Sequence, residues 1–508
     1  MQLGFVIDHG RCIGCHACTV ACKAENDVPL GNFRTWVKYT ERGDFPEVRR
    51  SFAVLRCNQC SDAPCVTICP VQALEKRPDG IVDVDPQRCI GCKSCLQGCP
   101  YDAIYINEDS GTAQKCHFCA HRTERGLAPA CAIVCPTEAI IPGDFDDSES
   151  VVSYLRASNS LQVRKPEAGT RPNVLYREVE RDAIEPLRTN SASGYLWADR
   201  LPGVQLDAQE FEALEQRAEA RTVYDVAHPP AWGARVSGYL FTKSISAGAF
   251  LAGAVLAPRP PDGLAASGWT GGLALVFLAL TTLLLVADLK RPERFLYVLR
   301  YANWDSWLSR GALILAAYGA LATLWSASRL FDLALPTVAD GLLLGLTGIA
   351  AALAAVYTAW LFHQSRGRVL WLRRTLTLEL LAHAVVAGAA ALLVLGVPLR
   401  LGEAFVLRMR WVLAAALTAQ LLLVALEGRF GPRGRAEEFA RAHRLVTRGP
   451  FAQRRWWVGV GAGVLLPLAL LLPPLPGPAW VLAGLLALLG LWTEQDVLVR
   501  AGQAPAIS

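Results

Sequence analysis

No cysteine occurs after Cys135 in this chain of 508 residues, so sulfur-based metal chemistry is confined to the first part of the sequence. Also missing is a charged stretch followed by an apolar one at the start, which reads MQLGFVIDHGRC. Without an export signal the thiols are not expected to meet an oxidising compartment, and a disulfide framework is not expected. No glycine-rich loop follows a strand pattern and no nucleophile-elbow sequence is found, so the chain offers no recognisable site for an organic or sulfur substrate. Long apolar runs are absent before about Val236. Twelve of the fourteen tryptophans lie from Trp232 onward, many near the ends of such runs, where amphipathic rings favour the lipid–water boundary. The formal charge of +5 does not read as nucleic-acid binding, because its excess sits in arginine loops between the apolar runs. A soluble head joined to a membrane body is expected.

What the head does contain is sixteen cysteines in four groups of four. They are Cys12, Cys15, Cys18 and Cys22; Cys57, Cys60, Cys65 and Cys69; Cys89, Cys92, Cys95 and Cys99; and Cys116, Cys119, Cys131 and Cys135. In each of the last three groups a proline follows the fourth cysteine. Three thiolates of a group can cap one face of an iron–sulfur cube, while the fourth, four residues after the third, turns to a neighbouring cube. Structural zinc instead prefers two separated cysteine pairs that close their own tetrahedron, which fits this spacing poorly. Four 4Fe-4S clusters are the expectation. His9, His16, His117 and His121 lie beside the cysteines and are read as polar surface or supporting residues rather than ligands.

Between the groups, Phe5–Asp8, Phe52–Leu55, Ile81–Asp85 and Ala103–Ile106 read as strands, with turns at Pro78–Gly80 and Asp109–Gly111. Together with the cysteine spacing, these residues resemble the four-cluster ferredoxin-like subunits of molybdopterin oxidoreductases, such as those of polysulfide, dimethyl sulfoxide and nitrate reductases. The resemblance runs through about residue 176 and implies an α+β ferredoxin-like head over 1–145, built as two nested dicluster units. It also implies a pairing of ligands: Cys12, Cys15 and Cys18 with Cys135; Cys116, Cys119 and Cys131 with Cys22; Cys57, Cys60 and Cys65 with Cys99; Cys89, Cys92 and Cys95 with Cys69.

Residues 146–235 read as a polar connector with an amphipathic helix over 207–221. An all-α membrane bundle is expected over 236–495, followed by a tail over 496–508. Its eight apolar stretches lie at about 236–257, 269–287, 308–328, 338–361, 375–396, 411–427, 456–472 and 477–492, most of them near the twenty residues needed to span a bilayer. An even number puts both termini on one side. Loops on the side of the cysteine head carry sixteen lysines and arginines, against five on the other side (Arg259, Arg329, Arg400, Arg408 and Arg410). The positive-inside rule then expects a multi-pass inner-membrane protein with head and termini in the cytoplasm.

Four motifs of the body, Ser246–Phe250, Asp288–Phe295, Asn303–Gly311 and Tyr357-Thr358, resemble the NrfD family of membrane subunits from polysulfide-reductase-type complexes. That resemblance implies a quinone, menaquinone or ubiquinone, bound near the cluster-bearing side, with Tyr357 as a ring contact; Lys243 stands where some relatives carry Asn or His. Ionisable residues are costly in a span and mark cavities, proton routes or ligands. Lys243, Asp288, Arg310, Tyr357, His363, Glu379, His383 and Glu427 all fall in the half of their spans nearer the cysteine head and are accordingly expected in one shared pocket, with Glu379 and His383 on one helix face. His363 and His383 leave room for one haem at most.

The expected function is a fused electron-transfer and membrane-anchor subunit of a respiratory oxidoreductase. It would pass electrons between a separate molybdopterin-type catalytic subunit and the membrane quinone pool. A redox-driven proton-translocating module and an iron–sulfur membrane sensor are the alternatives.

Overall fold

The computed structural model describes residues 1–43, 45–158, 160–191, 220–256, 263–333 and 335–507. The amphipathic helix expected over 207–221 falls almost wholly outside them. In the head, the apolar run at its start forms β1 (Leu3–Asp8), whose Phe5, Val6 and Ile7 are fully buried. The next strands are β2 (Thr35–Arg42), β3 (Arg49–Arg56), β4 (Leu74–Lys76), β5 (Val82–Val84), β6 (Ile104–Asn107), β7 (Thr112–Lys115), β8 (Ile140–Asp144), β9 (Val174–Arg177), β10 (Thr189–Ser191) and β11 (Ala220–Tyr224). One sheet has the order β8-β1-β9, with β1 antiparallel to β8 and parallel to β9. A second has the order β10-β11-β2-β3, in which Trp36 pairs with Leu55 and Val37 with Val54. The pairs β4-β5 and β6-β7 are hairpins whose turns contain Gly80 and Gly111, both with the positive φ that glycine adopts without strain.

The connector expectation needs correcting. β9 lies in the first sheet and β10 and β11 in the second, so 146–235 contributes strands to the head on both sides of the undescribed stretch. Lys38, Glu41 and Arg42 interrupt the apolar pattern of β2 and conceal that strand in the sequence. Lys38 is nevertheless inside, 3.8 Å from Asp225.

Short helices carry the cysteines: α1 (Ala17–Glu25), α2 (Pro64–Ile68) and α3 (Ser94–Gly98). The membrane body comprises α4 (Ala234–Phe250), continued by a wider turn through Val255, then α5 (Gly263–Ala287), α6 (Trp307–Leu330), α7 (Thr337–Gln364), α8 (Leu376–Gly396), α9 (Glu403–Leu426), the amphipathic α10 (Ala436–Thr447), α11 (Arg454–Leu471) and α12 (Gly477–Gln503). Seven of these are long and apolar enough to cross a membrane, and α4 with its continuation is an eighth long helix buried against them. α9 begins eight residues before its apolar stretch, because Arg410 is buried and caps the end of α11, donating to the carbonyls of Leu471, Leu472 and Pro473 at 2.6, 3.0 and 2.8 Å.

Glycines set the closest helix crossings. Gly248 on α4 meets Gly388 on α8, and Gly463 on α11 meets Gly490 on α12, each pair bringing backbone against backbone with no room for a Cβ. The expected tail is not free. α12 runs on to Gln503, which bonds the Trp232 backbone in both directions and accepts from Gln97 of the head, while Arg164 of the head donates to the Ile507 carbonyl.

Candidate functional site

α1, α2 and α3 each carry a cysteine inside the helix and another one turn later. In α2 and α3 the second cysteine is the C-cap, and the proline after it prevents continuation, so the two sulfurs leave the helix in different directions. The loops before α1 and α3 bend through Gly14 and Gly91 at φ of 70° and 68°. A Cβ at Gly14 would strike Phe52.

The sulfurs gather around four cavities. Cys12, Cys15, Cys18 and Cys135 line one of 310 Å³; Cys22, Cys116, Cys119 and Cys131 one of 270 Å³; Cys57, Cys60, Cys65 and Cys99 one of 310 Å³; and Cys69, Cys89, Cys92 and Cys95 one of 340 Å³. These are the quartets implied by the family pairing. Four cysteines around one space are the donor set that a 4Fe-4S cluster takes. Backbone N–H groups already aim at the sulfurs: Ala73 at Cys69 (3.3 Å), Ala113 at Cys89 (3.4 Å) and Ala139 at Cys135 (3.3 Å). Burial and neighbouring thiols push Cys18 up to about 11 and Cys92 up to about 12. Four thiolates in one cavity therefore need a positively charged group between them.

The quartets form a series. The Cys12 and Cys22 quartets share α1, and the buried Lys115, which donates to the Cys116 carbonyl, acts electrostatically on sulfurs of both the Cys22 and the Cys57 quartets. The Cys57 and Cys69 quartets share α2 and α3. At one end Cys15 is exposed, with Ile13, Val20 and Ile133 each more than half exposed nearby in sequence or fold. At the other, the membrane body grips the backbone of the Cys69 quartet: Asn303 donates to the Cys69 carbonyl (2.8 Å), Arg294 to that of Cys89 (2.9 Å) and Trp232 to that of Cys92 (3.3 Å). His363 spends its ring Nε2 on the Arg373 carbonyl at 3.1 Å.

Behind that quartet stand Lys243 and Tyr357, both buried, with the ammonium 4.5 Å from the ring centroid and bonded to Thr358 Oγ1. The segment 303–311 ties the two together. Ser306 and Ser309 hold the carbonyls of Ile68 and Pro70 at 2.7 and 2.8 Å, and Gly311 leaves room for the Tyr357 ring, which a Cβ would overlap. Tyr239, one turn before Lys243 on the same helix, is buried. Its i, i+4 relation to Lys243 is the signal by which the sequence reading could have found it.

The other expected members are not in that pocket. Asp288 sits at the junction of head and bundle, 2.9 Å from Lys93; burial pushes its carboxyl up while the ammonium pulls it down. Arg310 turns outward, bonding the Trp304 carbonyl and lying 4.9 Å over the Trp307 ring. Glu379 and His383 face a separate cavity of 520 Å³ between α8, α9, α10, α11 and α12. There Arg373 holds Glu379 in a forked ion pair, and Glu427 binds both His443 (3.0 Å) and Arg455 (2.6 Å). His383 Nδ1, Gln420 Oε1 and Glu494 Oε1, all buried, face this space without a hydrogen bond among the described residues.

Comparison with known proteins adds two family matches: a 4Fe-4S dicluster domain over residues 48–145, which begins after the first cysteine group, and "Polysulphide reductase, NrfD" over residues 222–506. Over 202 residues the sequence is 44% identical to a subunit of tetrathionate reductase from Salmonella typhimurium, covering 39% of this chain and 80% of that protein. Over 189 residues it is 38% identical to a component of polysulfide reductase from Wolinella succinogenes, covering 36% and 98% respectively. To the arsenate respiratory reductase iron–sulfur subunit of a Shewanella species it is 36% identical over 224 residues, covering 35% and 96%.

Proposed function

Because the chain belongs to the polysulphide reductase NrfD family and carries an iron–sulfur region ahead of its membrane helices, we propose that it is the electron-transfer and membrane-anchor subunit of a respiratory molybdopterin-type reductase or dehydrogenase, fused into one polypeptide. It is a multi-pass membrane protein. Four 4Fe-4S clusters, one per cysteine quartet, would supply one-electron transfer between a catalytic partner and a quinone. The partner would dock at the exposed Cys15 end, and the quinone ring would lie against Tyr357, Lys243 and Tyr239. The arginine-rich loops meet the head, which supports a cytoplasmic head in the inner membrane.

The observation that carries this reading is the grip of Asn303, Arg294 and Trp232 on one quartet, in a segment that also seats Tyr357. It aligns the last sulfur site with the buried tyrosine without relying on a flexible joint. Quinone reduction consumes two electrons and two protons. Lys243 can hold a proton within the site, and the Glu379–His383 cavity, with its unpaired polar atoms, is suited to storing protons near it.

Two measurements test the reading. Protein purified without oxygen is expected to contain about sixteen iron atoms and as many labile sulfides, on the basis of four cubes; iron-free protein would end the proposal. Asn303→Leu is expected to keep that iron, yet to slow electron delivery from the catalytic partner to quinone by roughly tenfold, on the sensitivity of reacting groups to small misplacement. Unchanged quinone-linked turnover in Asn303→Leu would mean that the grip on Cys69 is only structural.

A further inference from the structure

Arg56 ends β3 and precedes Cys57, but its side chain does not accompany that ligand. It is fully buried, its Nη1 donates to Cys131 Sγ at 3.2 Å, and its guanidinium lies 4.5 Å from the Phe5 ring centroid. Among the described residues no carboxylate pairs with it, and its Nε and Nη2 have no partner. Its charge acts most on the sulfurs of Cys131 and Cys116, in the Cys22 quartet, and less on Cys18 of the Cys12 quartet, and its one hydrogen bond to sulfur goes to Cys131. A guanidinium taken out of water without a carboxylate is destabilising unless another anion stands beside it. Here the only anions are thiolates and whatever they hold.

Two more buried cations face the same quartet. Lys115 donates to the carbonyls of Val82 and Cys116, and its charge acts on the Cys57 and Cys65 sulfurs as well as that of Cys116, so it serves two quartets. Arg34 donates to Asn26 Oδ1 at 3.1 Å, and Asn26 turns its amide toward Cys22 Sγ (3.7 Å) and Cys119 Sγ (3.9 Å). The other quartets differ. Lys93, beside Cys92, is paired with Asp288, and the Cys57 quartet shares Lys115 and has Asp102 near Cys99, which Arg368 pairs at 3.5 Å, but no charged donor reaches a sulfur of either quartet among the described residues. The Cys12 quartet includes the exposed Cys15. Among the described residues, Cys131 is the one cysteine whose sulfur accepts a hydrogen bond from a charged side chain.

An added electron makes a cluster more negative, so a fixed buried cation and donors to its sulfurs stabilise the reduced form and raise the potential. We infer that Arg56, assisted by Arg34 through Asn26, makes the cluster of Cys22, Cys116, Cys119 and Cys131 the most easily reduced of the four. This rests on the four-cluster reading. Arg56 is a positioning residue that acts through the charge it presents to sulfur, and electrons entering from either end would settle first at this second site.

The test is a redox titration of the purified full chain, followed by electron paramagnetic resonance. Arg56→Gln is expected to lower one midpoint, the highest, well beyond the others, and Arg56→Lys to recover much of the shift. The displaced signal should be the one altered in Cys119→Ser. Arg34→Gln leaves the buried guanidinium of Arg56 in place and should lower the same midpoint by less, which keeps the inference testable where Arg56→Gln loses iron. Full iron content with four unmoved midpoints, an equal shift of all four, or a shift of a different signal in either variant would overturn it. Absence of iron from the unaltered protein would instead overturn the four-cluster reading.

Discussion

Lys243→Met and Tyr357→Phe are each expected to lower quinone-linked turnover by about a hundredfold or more, the usual scale for losing a positioned proton donor. Electron transfer from the catalytic partner to an artificial dye should be unchanged in both. The reason is geometric. Lys243 is buried with its ammonium over the Tyr357 ring and its one described hydrogen bond going to Thr358, so it is held in place within the bundle without a carboxylate partner among the described residues. Methionine keeps the packing volume and removes the proton and charge. Phenylalanine keeps the ring beneath Lys243 and beside Gly311 and removes only the hydroxyl. Assaying both variants with the partner subunit present, against quinone and against dye, separates the site from the conduit. Equal loss of the two activities would reduce Lys243 and Tyr357 to packing residues.

Gly388→Leu is expected to prevent the bundle from assembling. A Cβ at Gly388 would fall on the backbone of Gly248, so α4 and α8 have to separate before any side chain fits. Overpacking a core usually costs about 1–3 kcal/mol because neighbouring side chains yield. Here the obstacle is a helix backbone, which does not, so the penalty should exceed that range. Gly341→Leu on α7 is the matched control, since nothing lies within 4 Å of its added Cβ. Yield of monodisperse protein after detergent extraction, and the temperature at which it aggregates, give the comparison. Normal behaviour of Gly388→Leu would show that α4 and α8 are not in register at these glycines.

The four cysteine groups were legible because ligand spacing is local, whereas which fourth cysteine joins which trio was implied only by the family resemblance, since the partners lie in distant segments. The membrane helices were legible because length and apolarity are read residue by residue. The shared pocket was not, because the sequence gives depth in a span without giving the direction a side chain faces. Glu379 and His383 lie at about the right level, but their face of α8 looks toward α9 and α12, where Arg373, Arg455 and Glu494 meet them. Arg310 failed for the same reason, one residue before the glycine that contacts Tyr357. β2 and the first turns of α9 were hidden by charges whose partners come from distant segments, Asp225 for Lys38 and the end of α11 for Arg410. Arg56 could not have been singled out either, since nothing in β3 announces that its terminal arginine turns inward.

The contacts of Gln503 and Ile507 give the molecule a clasp that follows every membrane helix in the chain. Trp232, Arg294 and Asn303 reach the head from early in the anchor, whereas the Gln97–Gln503 and Arg164–Ile507 contacts can form only once the last membrane helix has been made, so the joint is completed at the end of synthesis.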